Sequence, residues 1–152
     1  MSRTLVLMRH GLASGQAPDA HLLPEGWQDI VRLGRVLARE GWSPSLVIAS
    51  PYRRAQETVN VLLGTLGVST PVETSASLTP ECEPSEALEA IRPSVADLPC
   101  VLVVSHLPLL DSLLYAITDT MPGFSPGTFV EIALTSDAKG RVVRRIVARD
   151  LP

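Results

Sequence analysis

Cysteine and long apolar runs are scarce in this sequence of 152 residues. Cys82 and Cys100 are the only cysteines and neither belongs to a Cys-x-x-Cys pair, which argues against a disulfide framework and a zinc site. No apolar run approaches the ~20 residues that a membrane-spanning helix needs. The apolar run near the N-terminus is also shorter than the roughly 7–15 residues of a signal peptide core. We therefore expect a cytoplasmic protein with no membrane partner.

Basic stretches and the common nucleotide-binding motifs are lacking as well. The formal net charge is -3 and no basic stripe is present, so nucleic acid is not expected as a partner. No P-loop, GxGxxG or GxSxG motif occurs, so nucleotide-binding and serine-hydrolase functions have no support. The length fits one globular domain, residues 1–152, with a core of its own.

Apolar runs alternate with segments of helical periodicity along the chain. The strands predicted are Leu5–Met8, 45–49, Val72–Thr74 and 100–104, followed by a hairpin of "TFVEIAL" and "VVRRIVA". The helices predicted are Glu25–Glu40, one capped by Ser50 with Pro51 at its first position, Ser85–Arg92 ended by Pro93, and Leu109–Ile117. This alternation predicts an α/β fold with a mostly parallel central sheet, helices on both faces and a C-terminal antiparallel hairpin.

Three of the predicted core strands are followed by cationic or titratable residues. The first leads into Arg9-His10-Gly11, the second into Ser50-Pro51 with Arg53 and Arg54, and the third into Ser105-His106. Each group alone fits a plainer interpretation: a polar strand exit, solvated helix residues or a helix cap. Because the carboxyl ends of parallel strands share one edge of a sheet, we expect the three groups to converge there.

Converging arginines and histidines are typical of a site for phosphate. Guanidinium groups bind oxyanions in a bidentate manner. A histidine among them loses proton affinity to the neighbouring positive charge, so its free imidazole nitrogen becomes a nucleophile toward phosphorus. A metal site built from two of the three histidines (His10, His21 and His106) and a carboxylate is the competing interpretation, but the arginines would repel a metal cation.

Three segments resemble the motifs of the histidine phosphatase superfamily, which is phosphoglycerate mutase-like in fold. They are "LMRHGLA" (7–13), "SPYRRAQET" (50–58) and "VVSHLP" (103–108), in the family's order. The small size and the forms "SPxxRAxxT" and "SHLP" are most similar to the SixA branch of small phosphohistidine phosphatases. The resemblance covers about positions 3 to 135.

The resemblance implies a role for each matching residue. His10 would accept the phosphoryl group and form a phosphohistidine intermediate, with Arg9 binding the phosphoryl oxygens. The functional arginine of "SPxxRA" precedes the alanine, which selects Arg54 over Arg53. His106 would contact the phosphoryl group from the other side. Such enzymes need no metal or cofactor.

Two segments depart from the family pattern. Many relatives carry "R-P-L-T-x-x-G" after the first loop, whereas this chain has "AHLLPEG" (20–26), with Ala20 and Leu23 in place of the arginine and threonine. For the general acid, "LTPECEP" (78–84) offers Glu81 and, as an alternative, Glu83. We favour Glu81, whose position suits a side chain that leans over the site, while the plainer interpretation of both glutamates is an ordinary surface carboxylate.

Three functions fit these residues. The first is a phosphatase acting on phosphohistidine of a protein, whose weakly basic leaving group tolerates a poor acid. The second is a phosphomonoesterase for a small phosphate ester. The third is a module that binds phosphorylated partners without turnover, which would not need His10. A mutase is not expected, because the chain lacks room for the insertions that enclose a sugar bisphosphate.

Overall fold

A six-stranded sheet forms the centre of the molecule. A computed structural model of the chain describes residues 2–152. The strands are β1 (Thr4–Arg9), β2 (Leu46–Ala49), β3 (Val72–Thr74), β4 (Cys100–Ser105), β5 (Thr128–Leu134) and β6 (Gly140–Val147). Their spatial order is β3-β2-β4-β1-β5-β6. The first four are parallel, whereas β5 runs antiparallel to β1 and β6 antiparallel to β5. This arrangement confirms the predicted sheet and C-terminal hairpin.

Four helices cover the two faces of the sheet. They are α1 (Pro24–Arg39), α2 (Arg53–Leu66), α3 (Pro84–Asp97) and α4 (Leu109–Thr118). Alternate residues of a strand point to opposite faces, so Leu5 and Leu7 pack with α3 and α4 while Val6 and Met8 pack with α1 and α2. β1 is therefore buried on both sides, which explains its continuous apolar sequence. Within residues 2–152 no helix is long and apolar enough to span a bilayer.

Two predicted helix boundaries are wrong. Helix α2 begins at Arg53 rather than at Pro51, because the Ser50 hydroxyl closes a tight turn by accepting the Tyr52 N–H at 3.2 Å. Helix α3 does not end at Pro93 but continues to Asp97. Its buried face, formed by Ala87, Ile91 and Val95, repeats every four residues across the proline. We attribute the continuation to burial of Val95, which offsets the hydrogen bond that Pro93 cannot donate.

Candidate active site

A cavity of about 210 Å³ opens at the carboxyl ends of β1, β2 and β4. Four of its lining residues are arginines or histidines, and we call them the cavity floor: Arg9, His10, Arg54 and His106. The other lining residues are uncharged, and we call them the cavity rim: Leu12, Ala13, Gly15, Gln16, Leu107 and Pro126. The structure thus brings together the residues of all three sequence motifs, as the shared strand edge predicted.

His10 directly follows β1 and is 6% exposed. Its ring Nδ1 lies 2.8 Å from the carbonyl oxygen of Gly11, which can only accept a hydrogen bond. The imidazole proton therefore resides on Nδ1 and leaves a lone pair on Nε2. The Arg54 Nε–H donates to that lone pair at 3.2 Å. His10 is therefore held in the tautomer whose Nε2 carries the lone pair, at a position that lines the cavity.

The surroundings of His10 keep its imidazole neutral. Burial and, to a smaller extent, the positive charges of Arg54 and Arg9 together lower its pKa to about 4, against the raising effect of the hydrogen bond to the Gly11 carbonyl. A neutral imidazole is the form that can attack phosphorus. The prediction that neighbouring cations depress this pKa has the correct sign, although burial is the larger cause.

Gly11 is required by the packing directly behind His10. A Cβ at this position would lie 3.0 Å from the carbonyl oxygen of Gly26 and 3.3 Å from side-chain atoms of Ile30 and Leu22. The Gly11 N–H donates to the Thr58 hydroxyl at 3.0 Å, and that hydroxyl donates to the Arg54 carbonyl at 2.7 Å. Residues of the first and second motifs are thus tied together beneath the cavity.

The two neighbouring arginines of helix α2 have different environments. Arg54 is 4% exposed, and its Nη1 also donates to the carbonyl of Ala17 at 2.8 Å. The Arg53 side chain is 55% exposed and pairs with Glu57 at 3.0 Å. Successive helical residues point in directions about 100° apart, so only one of the two can enter the cavity. The structure places Arg54 there and leaves Arg53 outside.

Arg9 is hydrogen-bonded to the segment that precedes β5. Its Nη1 donates to the carbonyl of Phe124 at 2.9 Å, while its buried Nε has no partner within residues 2–152. Burial and the charge of Arg54 lower its pKa, and the carboxylate of Asp111 raises it. The sequence analysis missed Asp111, which lies in the first turn of α4. Its only signal was its position five residues after His106.

His106 directly follows β4 and is 1% exposed. Its ring lies 5.0 Å from the ring of His10, and its Nε2 lies 2.6 Å from the hydroxyl of Ser50. Burial, followed by the presence of His10 and the positive charges of Arg54 and Arg9, lowers its pKa to about 3. Both histidines of the cavity floor are therefore neutral near pH 7, and the net positive charge of the floor comes from its arginines.

The structure does not bring the other candidate residues into the cavity. Glu81 and Glu83 are exposed and neither lines it. His21 is also exposed, and its Nδ1 lies 2.8 Å from the carbonyl oxygen of Leu22. Across residues 2–152 no group of three His, Cys, Asp or Glu side chains is arranged to hold a metal ion. No carboxylate is among the residues that line the cavity.

These groups suit a tetrahedral oxyanion. Two guanidinium groups supply positive charge and hydrogen-bond donors for its oxygens, and His10, whose Nε2 accepts from Arg54, lines the same space. A phosphoryl group held there could be attacked in line, with the arginines stabilising the oxygens in the transition state. The uncharged rim offers no second cationic site for another phosphate.

Comparisons with known proteins agree with this chemistry. Residues 5–80 match the model of the histidine phosphatase superfamily (branch 1). The chain is 27% identical over 135 residues to the phosphohistidine phosphatase SixA of Escherichia coli, a match that covers 86% of this chain and 81% of that protein. It is 39% identical over 70 residues to a 2,3-bisphosphoglycerate-dependent phosphoglycerate mutase of Nocardia farcinica, which covers 41% of this chain and only 29% of the mutase.

Solved structures share the whole fold. The protein histidine phosphatase SixA complexed with tungstate superposes with a TM-score of 0.88 at 22% identity, over 95% of this chain and 97% of that one. A putative SixA from Nakamurella multipartitia superposes with a TM-score of 0.80 at 25% identity, over 97% and 96% of the two chains. The sheet order and the C-terminal antiparallel strands are therefore those of an established fold.

Proposed function

We propose a function on the premise that this chain belongs to the histidine phosphatase superfamily, whose branch 1 model matches half of its residues. The protein is a phosphatase that forms a covalent phosphohistidine on His10 and acts on phosphohistidine of another protein. The observation that carries this proposal is the neutral, correctly oriented imidazole of His10 between two arginines, in a cavity whose lining includes no carboxylate.

The first step transfers the phosphoryl group to His10. Arg9 and Arg54 bind the phosphoryl oxygens, the Arg54 Nε–H leaves Nε2 of His10, and the freed lone pair of Nε2 forms a bond to phosphorus. The other ring nitrogen of the substrate's imidazole carries a proton from solvent, so when its bond to phosphorus breaks the electron pair stays on the departing nitrogen and a neutral imidazole leaves. In-line geometry and electrostatic stabilisation supply most of the catalysis of such transfers.

The second step hydrolyses the phosphoenzyme. Water attacks phosphorus, the bond to Nε2 breaks, and the electron pair returns to the imidazole of His10 while inorganic phosphate leaves. The low pKa of His10 supports this step, because a weakly basic imidazole is a good leaving group. His10 then regains the neutral state in which it can attack again.

A leaving group of low basicity fits the absence of an acid from the cavity lining. An alkoxide leaving group requires a proton from the enzyme as its bond to phosphorus breaks. A phosphohistidine that has taken a proton from solvent on its other ring nitrogen leaves as neutral imidazole and needs no acid of the enzyme, and Glu81 and Glu83 lie outside the cavity lining. The relatives called phosphohistidine phosphatase support the same substrate class, since the match to one of them extends over most of both chains.

A small phosphate ester is the second candidate substrate. The match to a phosphoglycerate mutase favours it, although that match spans less than a third of the mutase. The uncharged rim and Ala20, which stands where relatives carry an arginine, weigh against a substrate with a second anionic group. We therefore rank this candidate below phosphohistidine.

A parallel assay in EDTA tests the proposal. Wild type and His10→Ala would be given a phosphohistidine protein and, separately, p-nitrophenyl phosphate. We expect wild type to prefer phosphohistidine and the variant to be inactive on both substrates. A preference for p-nitrophenyl phosphate would move the small-ester function to first place. Loss of wild-type activity in EDTA, or cleavage of neither substrate, would overturn the proposal.

A further inference from the structure

The ring of His106 has one satisfied nitrogen and one without a partner. Nε2 lies 2.6 Å from the hydroxyl of Ser50, and both residues are buried. Nδ1 is also buried and has no hydrogen-bond partner among the residues the structure describes. A neutral imidazole has one N–H and one lone pair, so the partner at Nε2 decides which of the two Nδ1 presents.

The hydrogen bonds of the Ser50 hydroxyl determine whether Nδ1 of His106 presents an N–H or a lone pair. Its hydroxyl has one proton to donate and accepts the backbone N–H of Tyr52 at 3.2 Å. The only acceptor that the described hydrogen bonds offer to the hydroxyl proton is Nε2 of His106. The hydroxyl therefore donates to the Nε2 lone pair. The imidazole proton of His106 then resides on Nδ1.

We infer that Ser50 is a positioning residue that holds His106 as the Nδ1–H tautomer, so that Nδ1–H donates to an oxygen of the bound phosphoryl group. This inference rests on the proposed function. His106 lines the cavity and Ser50 occupies its other nitrogen. In the opposite tautomer Nδ1 would direct a lone pair at an anionic oxygen, which is repulsive.

Both histidines of the cavity floor are thus Nδ1–H tautomers, but one offers a lone pair to the substrate and the other offers an N–H. His10 donates its Nδ1–H to the Gly11 carbonyl and offers the lone pair of Nε2 to phosphorus. His106 accepts from Ser50 at Nε2 and offers Nδ1–H to an oxygen. One backbone carbonyl and one serine hydroxyl therefore set which histidine is the nucleophile and which is the donor.

The turn after β2 explains why Ser50 is available for this role. Ser50 does not cap helix α2, because that helix begins three residues later. Pro51 has no N–H, so the first backbone donor that can reach the hydroxyl is Tyr52. The Gln56 amide donates to the Ser50 carbonyl at 2.8 Å, and the Tyr52 ring packs 5.0 Å from the His106 ring. These contacts fix the turn around the hydroxyl.

Nitrogen NMR of wild type and two alanine variants tests the inference. Long-range ¹H–¹⁵N spectra of the histidine rings distinguish a protonated ring nitrogen from one with a lone pair. Ser50→Ala removes the donor to His106. Ser105→Ala is the matched control, because Ser105 is equally buried at the same sheet edge but donates to the carbonyl of Leu78 at 2.7 Å.

The expected results differ between the two variants. Wild type and Ser105→Ala should show protonated Nδ1 at His106, whereas Ser50→Ala should lose that state. The kcat of Ser50→Ala should fall about 10- to 100-fold, up to the scale of one lost donor to a transition-state oxygen, and its affinity for inorganic phosphate should fall. Ser50→Thr, which keeps the hydroxyl, should retain the tautomer and restore most of the kcat.

Two results would overturn the inference. One is an Nε2-protonated His106 in wild type, a measurement that needs no folded variant. The other is an unchanged tautomer in Ser50→Ala. Neither depends on turnover, so they are distinct from failure of the proposed function, in which wild type would cleave neither phosphohistidine nor p-nitrophenyl phosphate.

Discussion

The cavity floor and the 78–84 segment are both near the same sheet edge, but only the floor is organised for chemistry. The floor residues are attached to strand ends or to the first turn of a helix, and each makes at least one hydrogen bond that fixes its side chain. The 78–84 segment is tied to the sheet through the bond from Ser105 to the Leu78 carbonyl, and its two glutamates point to solvent. The fold therefore fixes the positions of the floor residues, to which we assign the nucleophile and the oxyanion site, and fixes no carboxylate among them.

Removing the nucleophile should have the largest effect. We expect His10→Ala to lower kcat/KM by at least about 10⁴-fold, since loss of a nucleophile removes the covalent route entirely. His21→Ala is the control, because His21 is exposed and outside the cavity. Steady-state kinetics on p-nitrophenyl phosphate and on a phosphohistidine protein measure both variants. Comparable losses in the two variants would contradict the assignment of the floor.

The adjacent arginines provide the second test. Arg54→Ala should lower kcat/KM by roughly 10²–10³-fold, the scale of a lost transition-state donor. Arg53→Ala should change it less than about threefold, because an exposed i,i+4 pair with Glu57 contributes little. The two substitutions remove the same side chain one position apart, and kinetics at saturating and limiting substrate compare them. Equal losses would mean that the orientation of helix α2 is wrong.

The lowered pKa values of the two buried histidines predict that the protein loses stability over a limited acidic pH range. The pKa of His10 is about 4 in the folded protein and about 6.5 in an unfolded chain. Between these two pH values the unfolded chain binds more protons at this histidine than the folded protein does. The free energy of unfolding therefore falls as the pH drops from about 6.5 toward 4, and above pH 6.5 His10 does not make it depend on pH. His106, with a pKa of about 3, acts in the same direction.

Urea unfolding at several pH values measures this window. His10→Asn, which does not titrate, should show a shallower loss of stability between pH 6.5 and 4 than wild type. If the free energy of unfolding changed equally with pH in both proteins between pH 6.5 and 4, the fold would not be holding His10 neutral. Carboxylates with lowered pKa, such as Glu57, act below about pH 4.5 and are common to both proteins.

Glu81→Gln should have the smallest effect. With phosphohistidine we expect a change of less than about threefold, because Glu81 does not line the cavity and the imidazole leaving group needs little protonation. The same variant and Glu83→Gln should be compared on an alkyl phosphate. A large loss confined to Glu81→Gln and to the alkyl ester would restore Glu81 as a general acid.

The sequence predicted the sheet and the cavity floor because both depend on simple patterns. Continuous apolar runs identify strands buried on two faces, and parallel strands place their carboxyl ends together. The contrast between Arg53 and Arg54 followed from the motif, and the structure supplies its reason in the direction of two successive helical residues.

The remaining features depend on geometry that sequence patterns do not specify. Ser50 looks like a helix cap, yet a turn directs its hydroxyl to a histidine 56 residues away. Asp111 looks like an ordinary first-turn acid, yet its carboxylate acts on Arg9. Glu81 lies outside the cavity because of the path that an irregular segment takes. In such a segment the spacing of residues does not predict where a side chain points.

Trapping the phosphoenzyme tests the central claim most directly. Wild type would be mixed with a ³²P-labelled phosphohistidine protein, denatured in alkali, in which phosphohistidine survives, and digested for peptide mapping. We predict label on the peptide that contains His10, bonded through Nε2, and none in His10→Ala. Label on another residue, or turnover in His10→Ala, would contradict the account.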